Sequence, residues 1–197
     1  MKIHKEASMA TYFIADTHFG HENVITHSYR PFAGVNEMDA TLIENWNSRV
    51  TNNDDVYIIG DFCFKVSKEQ AIRYAKSLKG RKHLIVGNHD KRYLKDAVFV
   101  SQFVQVADIL DLAINGERII LCHYPIAEWN GYFRGSWHIY GHIHNKQSNP
   151  AFAFLRTQER ALNAGAEIIH YTPATFEELK MYNEVHRNIV NPNLTTN

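Results

Sequence analysis

VYIIGD, residues 56–61, sets the pattern that decides the fold: four apolar or aromatic residues, a glycine, then a carboxylate. An unbroken apolar run this short suits a strand covered on both faces. The glycine lets the backbone turn tightly. Asp61 therefore arrives just past a strand end, with two oxygens that can bridge two cations. Working outward, four more runs end in the same way. Residues 12–15 precede Asp16-Thr17-His18, and 83–86 precede Gly87-Asn88-His89-Asp90. Residues 119–122 precede His123, and Trp137–Tyr140 precedes Gly141-His142-Ile143-His144.

Between the runs lie amphipathic stretches. Residues 36–50 carry Met38, Leu42, Ile43, Trp46 and Val50 at helical spacing. Residues 67–78 open on Ser67 and Gln70, a capping-box pair, and place Ala71, Tyr74, Ala75 and Leu78 on one stripe, with Gly80 as the stop. A last helix is predicted over 175–185, after Pro173. Strand and helix alternate in the first half, the signature of a layered α/β domain. The second half is richer in strands, and Asn115-Gly116 between two apolar runs predicts a hairpin. The stretch 129–136 (WNGYFRGS) reads as a surface loop.

The 197 residues suit one domain, with 1–8 as an extension and 191–197 as a frayed tail. A domain of this size hides about 70% of its unfolded surface. The composition, 45% apolar and 21% charged, is that of an ordinary globular protein. No apolar run would span a bilayer and no secretory core follows the start, so a cytoplasmic setting is expected. Zero formal charge argues against a large footprint for duplex nucleic acid. Two cysteines, Cys63 and Cys122, are too far apart for a CxxC motif and read as small buried residues. Histidine is the unusual component: twelve residues, five of them in the tight motifs, and neutral imidazole is the commonest metal ligand.

Each motif can serve a cation. In extended backbone, residues two apart face the same way, so Asp16 and His18 can reach one ion, and His142 and His144 have the same two-residue spacing. The amide oxygen of Asn88 can ligate while its NH2 donates to a substrate oxygen. Singly these signals are weak, since a lone histidine after a strand is more often a hydrogen-bonded core residue than a ligand. All five after strands, in one chain, are hard to explain as structure alone.

The series Asp16-x-His18, Gly60-Asp61, Gly87-Asn88-His89-Asp90, His123 and Gly141-His142-x-His144 resembles the full signature of the calcineurin-like metallophosphoesterases. It covers residues from about 10 to 180. FIADTHFGHENVI and LNAGAEIIHYTPATFEEL further resemble a small single-domain bacterial and phage branch of that family, in which Asp is expected where Glu167 stands. The resemblance implies a four-layer α/β/β/α sandwich: two mixed sheets flanked by helices. It implies two divalent cations, one held by Asp16, His18, Asp61 and His144, the other by Asp61, Asn88, His123 and His142. Mixed nitrogen and oxygen ligands suit Mn first, then Fe, Zn, Co or Ni. The implied activity is hydrolysis of a phosphoester, diester or monoester, by in-line attack of a metal-bridging hydroxide. Asn88 and His89 would bind substrate. His89 would protonate the leaving group, with Asp90 orienting its imidazole. The expected partner is a small phosphorylated molecule, nucleotides and short oligonucleotides included, with no membrane and no obligate protein. Two alternatives stand beside this reading: a nuclease or nucleic-acid end-processing enzyme, and a non-catalytic binding module on the same fold.

Other residues carry weaker expectations. His21 and Asn23 border the first motif and suit either substrate contact or a loop hydrogen bond. Arg30 is expected to be exposed rather than to clamp phosphate. Lys91, Arg92 and Lys95 read as a solvated helix face before a basic rim, and Trp129, Tyr132, Phe133 and Arg134 as loop packing before a base-stacking lip. Glu167 is expected to touch no metal motif. His4, His27, His83, His138, His170 and His186 receive no role.

Overall fold

The first apolar run forms strand β1 (Thr11–Ile14), which pairs in parallel with β2 (Asp55–Ile59) in the computed structural model, where residues 9–189 are described. The predicted extension and tail lie outside the described residues. β2 pairs with β3 (Arg81–Ile85), and β3 with β4 (Gln105–Ala107), all parallel. The second sheet is mixed. β5 (Ile109–Ile114) and β6 (Glu117–Cys122) form an antiparallel hairpin, and β7 (Trp137–Tyr140) and β8 (Ala161–Asn163) follow in parallel. At the hairpin turn Asn115 and Gly116 have φ of 51° and 84°. Positive φ at both central residues is the type I′ turn that matches strand twist.

Main-chain bridges tie β1 to the segment between β8 and the last helix: Phe13 pairs with Ala174, and Ala15 with Gly165. A single hydrophobic cluster includes Phe13, Ile58 and Leu84 from the first sheet and Ile119, Leu121, Ile139 and Leu162 from the second. Helix α2 (Val35–Arg49) adds Met38, Leu42 and Trp46 to it. Ile120 and Tyr140, the alternate residues of β6 and β7, face a smaller cluster with Trp129 and Leu155. The second sheet is thus covered on both faces, as the continuous runs required.

The remaining helices are α1 (Glu22–His27), α3 (Lys68–Ser77), α4 (Ala97–Val100), α5 (Pro150–Leu155) and α6 (Phe176–Asn188). In α3 only half of the expected capping box forms: Ser67 accepts from the Gln70 backbone, but the Gln70 side chain accepts from Arg73 instead. The full box is at α6, between Thr175 and Glu178. The loop 129–136 contains a short helical turn, Tyr132–Arg134, and is pinned by Trp129, whose indole N–H donates to the Ser136 carbonyl and hydroxyl. Among the described residues no helix is long and apolar enough to cross a membrane.

Candidate metal centre

Each of β1, β2, β3, β6 and β7 ends within a few residues of a candidate ligand, and the segments beyond them knit together. The Asp16 amide donates to the Gly60 carbonyl, the His18 amide to Asp61, and the Gly141 amide to His123. The backbone is forced to make these turns. Asp16, His18, Asp61, His142 and His144 all sit in the left-handed region, with φ between 51° and 70°. Two glycines make room. A Cβ on Gly60 would come 2.3 Å from His123 Nδ1, and one on Gly87 would come 2.3 Å from Asp61 Oδ1.

The result is two groups side by side. Asp16, His18 and His144 form one, and Asp61, His123 and His142 the other, with ligand atoms in each group within 4.8 Å of one another. Asp61 Oδ2 lies 3.6 Å from His18 Nε2 and 3.5 Å from His123 Nε2, so it reaches both groups. Asn88 Oδ1 lies 3.1 Å from both His123 Nε2 and His142 Nδ1. All seven side chains predicted as ligands therefore converge.

The groups fit cations. The His18 imidazole is buried, yet neither ring nitrogen has a hydrogen-bond partner within the protein. Buried polar groups are nearly always partnered, so this ring asks for a ligand. Burial, aided by His144 and Arg30, drives its pKa well below the usual imidazole range, which keeps the ring neutral with one nitrogen free to ligate. Burial raises Asp16 to about 6 against the pull of His144 and His123. Burial also opposes charge on His123, but the Asp61 and Asp16 carboxylates raise it to about 9. Where no cation neutralises these carboxylates, imidazolium protons do so. His123 Nδ1 faces the Ile59 carbonyl at 3.0 Å, which leaves Nε2 for the centre.

Three sequence expectations need correcting. Asp90 does not touch the His89 imidazole: its carboxylate accepts the backbone N–H groups of Asp61, Phe62 and Gly87, at 2.8–2.9 Å. It staples two ligand loops together, because short turns leave buried N–H groups that need an acceptor. Glu167 does touch a metal motif, with Oε1 2.9 Å from His144 Nδ1. Arg30 is buried, not exposed. It donates to Glu167 Oε1 and to the carbonyls of Asp16 and Thr17. Burial opposes ionisation of Glu167, but Arg30 and His144 hold it down at about 2.

A cavity of about 280 Å³ opens over the groups, with Asn88, His89 and Lys146 on its wall. His89 Nε2 lies 3.8 Å from Asp61 Oδ2, and its ring meets the edge of Phe64 at 4.7 Å. His21 also lines the cavity and stacks on Phe64 at 3.6 Å; Asn23 is exposed and does not line it. Lys91, Arg92 and Lys95 do not line the cavity, nor does any residue of the 129–136 loop. Phe64 and Lys146 carry no sequence signal of their own. Cys63 and Cys122 are buried free thiols, as expected.

No family model matches the sequence. The chain is 34% identical over 167 residues to the uncharacterized protein MJ1445 of Methanocaldococcus jannaschii, a match covering 84% of this chain and 86% of that one. It is 27% identical over 203 residues to the gene 66 protein of Mycobacterium phage L5, covering 89% and 95% of the two chains. A crystal structure of AQ665, a protein of unknown function from Aquifex aeolicus, superposes with a TM-score of 0.67 at 29% identity, over 87% of this chain and 97% of that one. At this identity and coverage, the chain belongs to the same family as MJ1445.

Proposed function

We propose that this chain is a phosphoester hydrolase of the calcineurin-like type, working with two divalent cations, Mn first among them, on a small phosphorylated molecule. The observation that carries the reading is the position of Asp61 Oδ2, within 3.6 Å of an imidazole nitrogen from each group. A carboxylate between two ligand sets is the bridge a two-metal centre needs. The fold supports the reading as well: two four-stranded sheets contribute to one hydrophobic core, the first requirement of a layered α/β sandwich. Two bound cations would supply an ionised water near neutral pH and would neutralise phosphoryl charge.

The chain's own residues do the rest. Asp16, His18, Asp61 and His144 would hold one cation, and Asp61, Asn88, His123 and His142 the other. Asn88 turns its carbonyl oxygen toward His123 and His142, leaving its NH2 group to donate to a phosphoryl oxygen. His89, partly exposed and held edge-on by Phe64, gives a proton to the leaving oxygen. Asp90 serves by fixing the loops that carry Asp61 and Asn88. The basic rim and loop aromatics that a nuclease would use do not line the cavity, and a volume of about 280 Å³ suits a small ester.

Metal analysis and hydrolysis of an aryl phosphodiester test this directly. The protein is expected to take up two cations per chain and to cleave the ester. Asp61→Asn is expected to lose both metal and turnover. A fully loaded protein that cleaves no phosphorus–oxygen bond across a panel of mono- and diesters would end the proposal, as would undiminished activity in the variant.

A further inference from the structure

The segment that follows β8 grips His144 at two points. Asn163 donates its side-chain NH2 to the His144 carbonyl at 2.7 Å, and Glu167 Oε1 lies 2.9 Å from Nδ1 of the His144 ring. The same segment is fixed to the end of β1. The Ala15 N–H donates to the Ala164 carbonyl, and the Ala166 N–H to the Ala15 carbonyl. Behind Glu167 stands Arg30. Its guanidinium lies 2.7 Å from Glu167 Oε1 and also donates to the carbonyls of Asp16 and Thr17, at 2.6 and 3.0 Å. One guanidinium thus joins the loop that carries Asp16 and His18 to the carboxylate behind His144. Arg30 and Glu167 are shut away from solvent, with side chains 0% and 2% exposed. An ion pair this deep adds little to stability, because desolvating both charges offsets their attraction. Its place is better explained by what it holds.

A carboxylate can only accept, so His144 Nδ1 carries a proton and Nε2 is the nitrogen left for a cation. Among the described residues, no other proposed ligand imidazole is backed in this way. His123 Nδ1 faces a neutral carbonyl, that of Ile59, at 3.0 Å. His142 Nδ1 faces the Asn88 amide oxygen at 3.1 Å, and the His18 ring has no hydrogen-bond partner within the protein. The carboxylate beside His18 and His123 is Asp61, itself a proposed ligand. A carboxylate behind a metal-binding imidazole fixes the ring and raises its basicity. We infer that Glu167, anchored by Arg30, is a positioning residue: it holds His144 with Nδ1 protonated and Nε2 toward the first cation, and so governs the affinity of that cation and not of the second. The inference rests on the two-cation reading given above and adds to it a residue outside the seven ligands.

Zinc is the probe, because it is redox-inert and accepts both nitrogen and oxygen ligands. The full-length, metal-stripped protein, ¹⁵N-labelled at histidine, is titrated with zinc by calorimetry, and its imidazole rings are followed by NMR. The parent is expected to bind two zinc ions, with the His144 proton on Nδ1 and its Nε2 shifted by the metal. Glu167→Gln keeps an oxygen acceptor and removes the charge. It is expected to weaken one zinc ion about 10–100-fold and leave the other unchanged, while the His144 Nδ1 proton moves upfield and that of His123 stays. The unchanged zinc ion also shows that the variant has folded. Zinc on His144 Nδ1 in the parent, a measurement that needs no variant, would overturn the inference. So would two unchanged affinities, or equal weakening of both ions. A parent that binds no zinc would remove the two-cation reading and this inference with it. Two zinc ions without ester hydrolysis would count against the phosphoester reading alone.

Discussion

Side chains at the centre are held in place against local preference. Five of the seven proposed ligands have positive φ, a region that costs an L-residue roughly 1–2 kcal/mol, and such outliers gather at functional sites. His142 is the one to test, because it is exposed and its φ is 70°. The metal-stripped His142→Gly protein is expected to be about 0.5–1 kcal/mol more stable than the parent by urea unfolding, since glycine relieves the turn, while metal analysis finds one cation fewer. A destabilised variant would mean that the turn is unstrained. All seven of these side chains were legible in the sequence because each follows a strand within a short motif. Glu167 and Arg30 were not. They meet each other across 137 residues, and Glu167 meets His144 across 23, in a segment with no metal motif. Pairing at that distance leaves no local pattern. Arg30 was misread for the same reason: an isolated arginine is usually exposed, and nothing nearby in sequence announces its buried carboxylate.

Helices and strands were legible where pattern is dense. β1, β2, β3, β6 and β7 lie within two residues of the expected runs, and α2, α3 and α6 begin and end within three of theirs. β4 and β8 were not foreseen. Each is three residues long and sits at the edge of its sheet, too short to show a period. Caps decide helix starts, and the two observed ones predict different costs. At α6 the Thr175 hydroxyl and the Glu178 carboxylate satisfy each other's backbone N–H groups. α6 also holds β8 through Asn183, which bonds both the N–H and the C=O of Asn163. Thr175→Ala is expected to cost about 1 kcal/mol by urea unfolding. Ser67→Ala, at the half-formed cap of α3, should cost less; the reverse order would contradict the assignment of the full box.

The whole molecule carries a titration away from the centre. His138 is fully buried in β7. Its Nδ1 lies 2.9 Å from the Ile120 carbonyl, and its Nε2 accepts the Ile126 N–H at 3.1 Å. That pairing requires the neutral Nδ1–H tautomer. Burial lowers its pKa to about 4, against the pull of the carbonyl. Because the folded value lies below the unfolded value of about 6.5, the unfolded chain binds the proton more readily. The contribution is therefore whole above pH 6.5 and is lost as pH falls toward 4, on the order of 3 kcal/mol. Imidazole ¹⁵N shifts should show His138 neutral down to about pH 5; titration near 6.5 would contradict this.

The left-handed turns are not all alike in what they cost. Asp16 and Asp61 repay theirs by accepting the backbone N–H groups of His142 and His89. The exposed His142 has no such return, so there a glycine would fold with less strain.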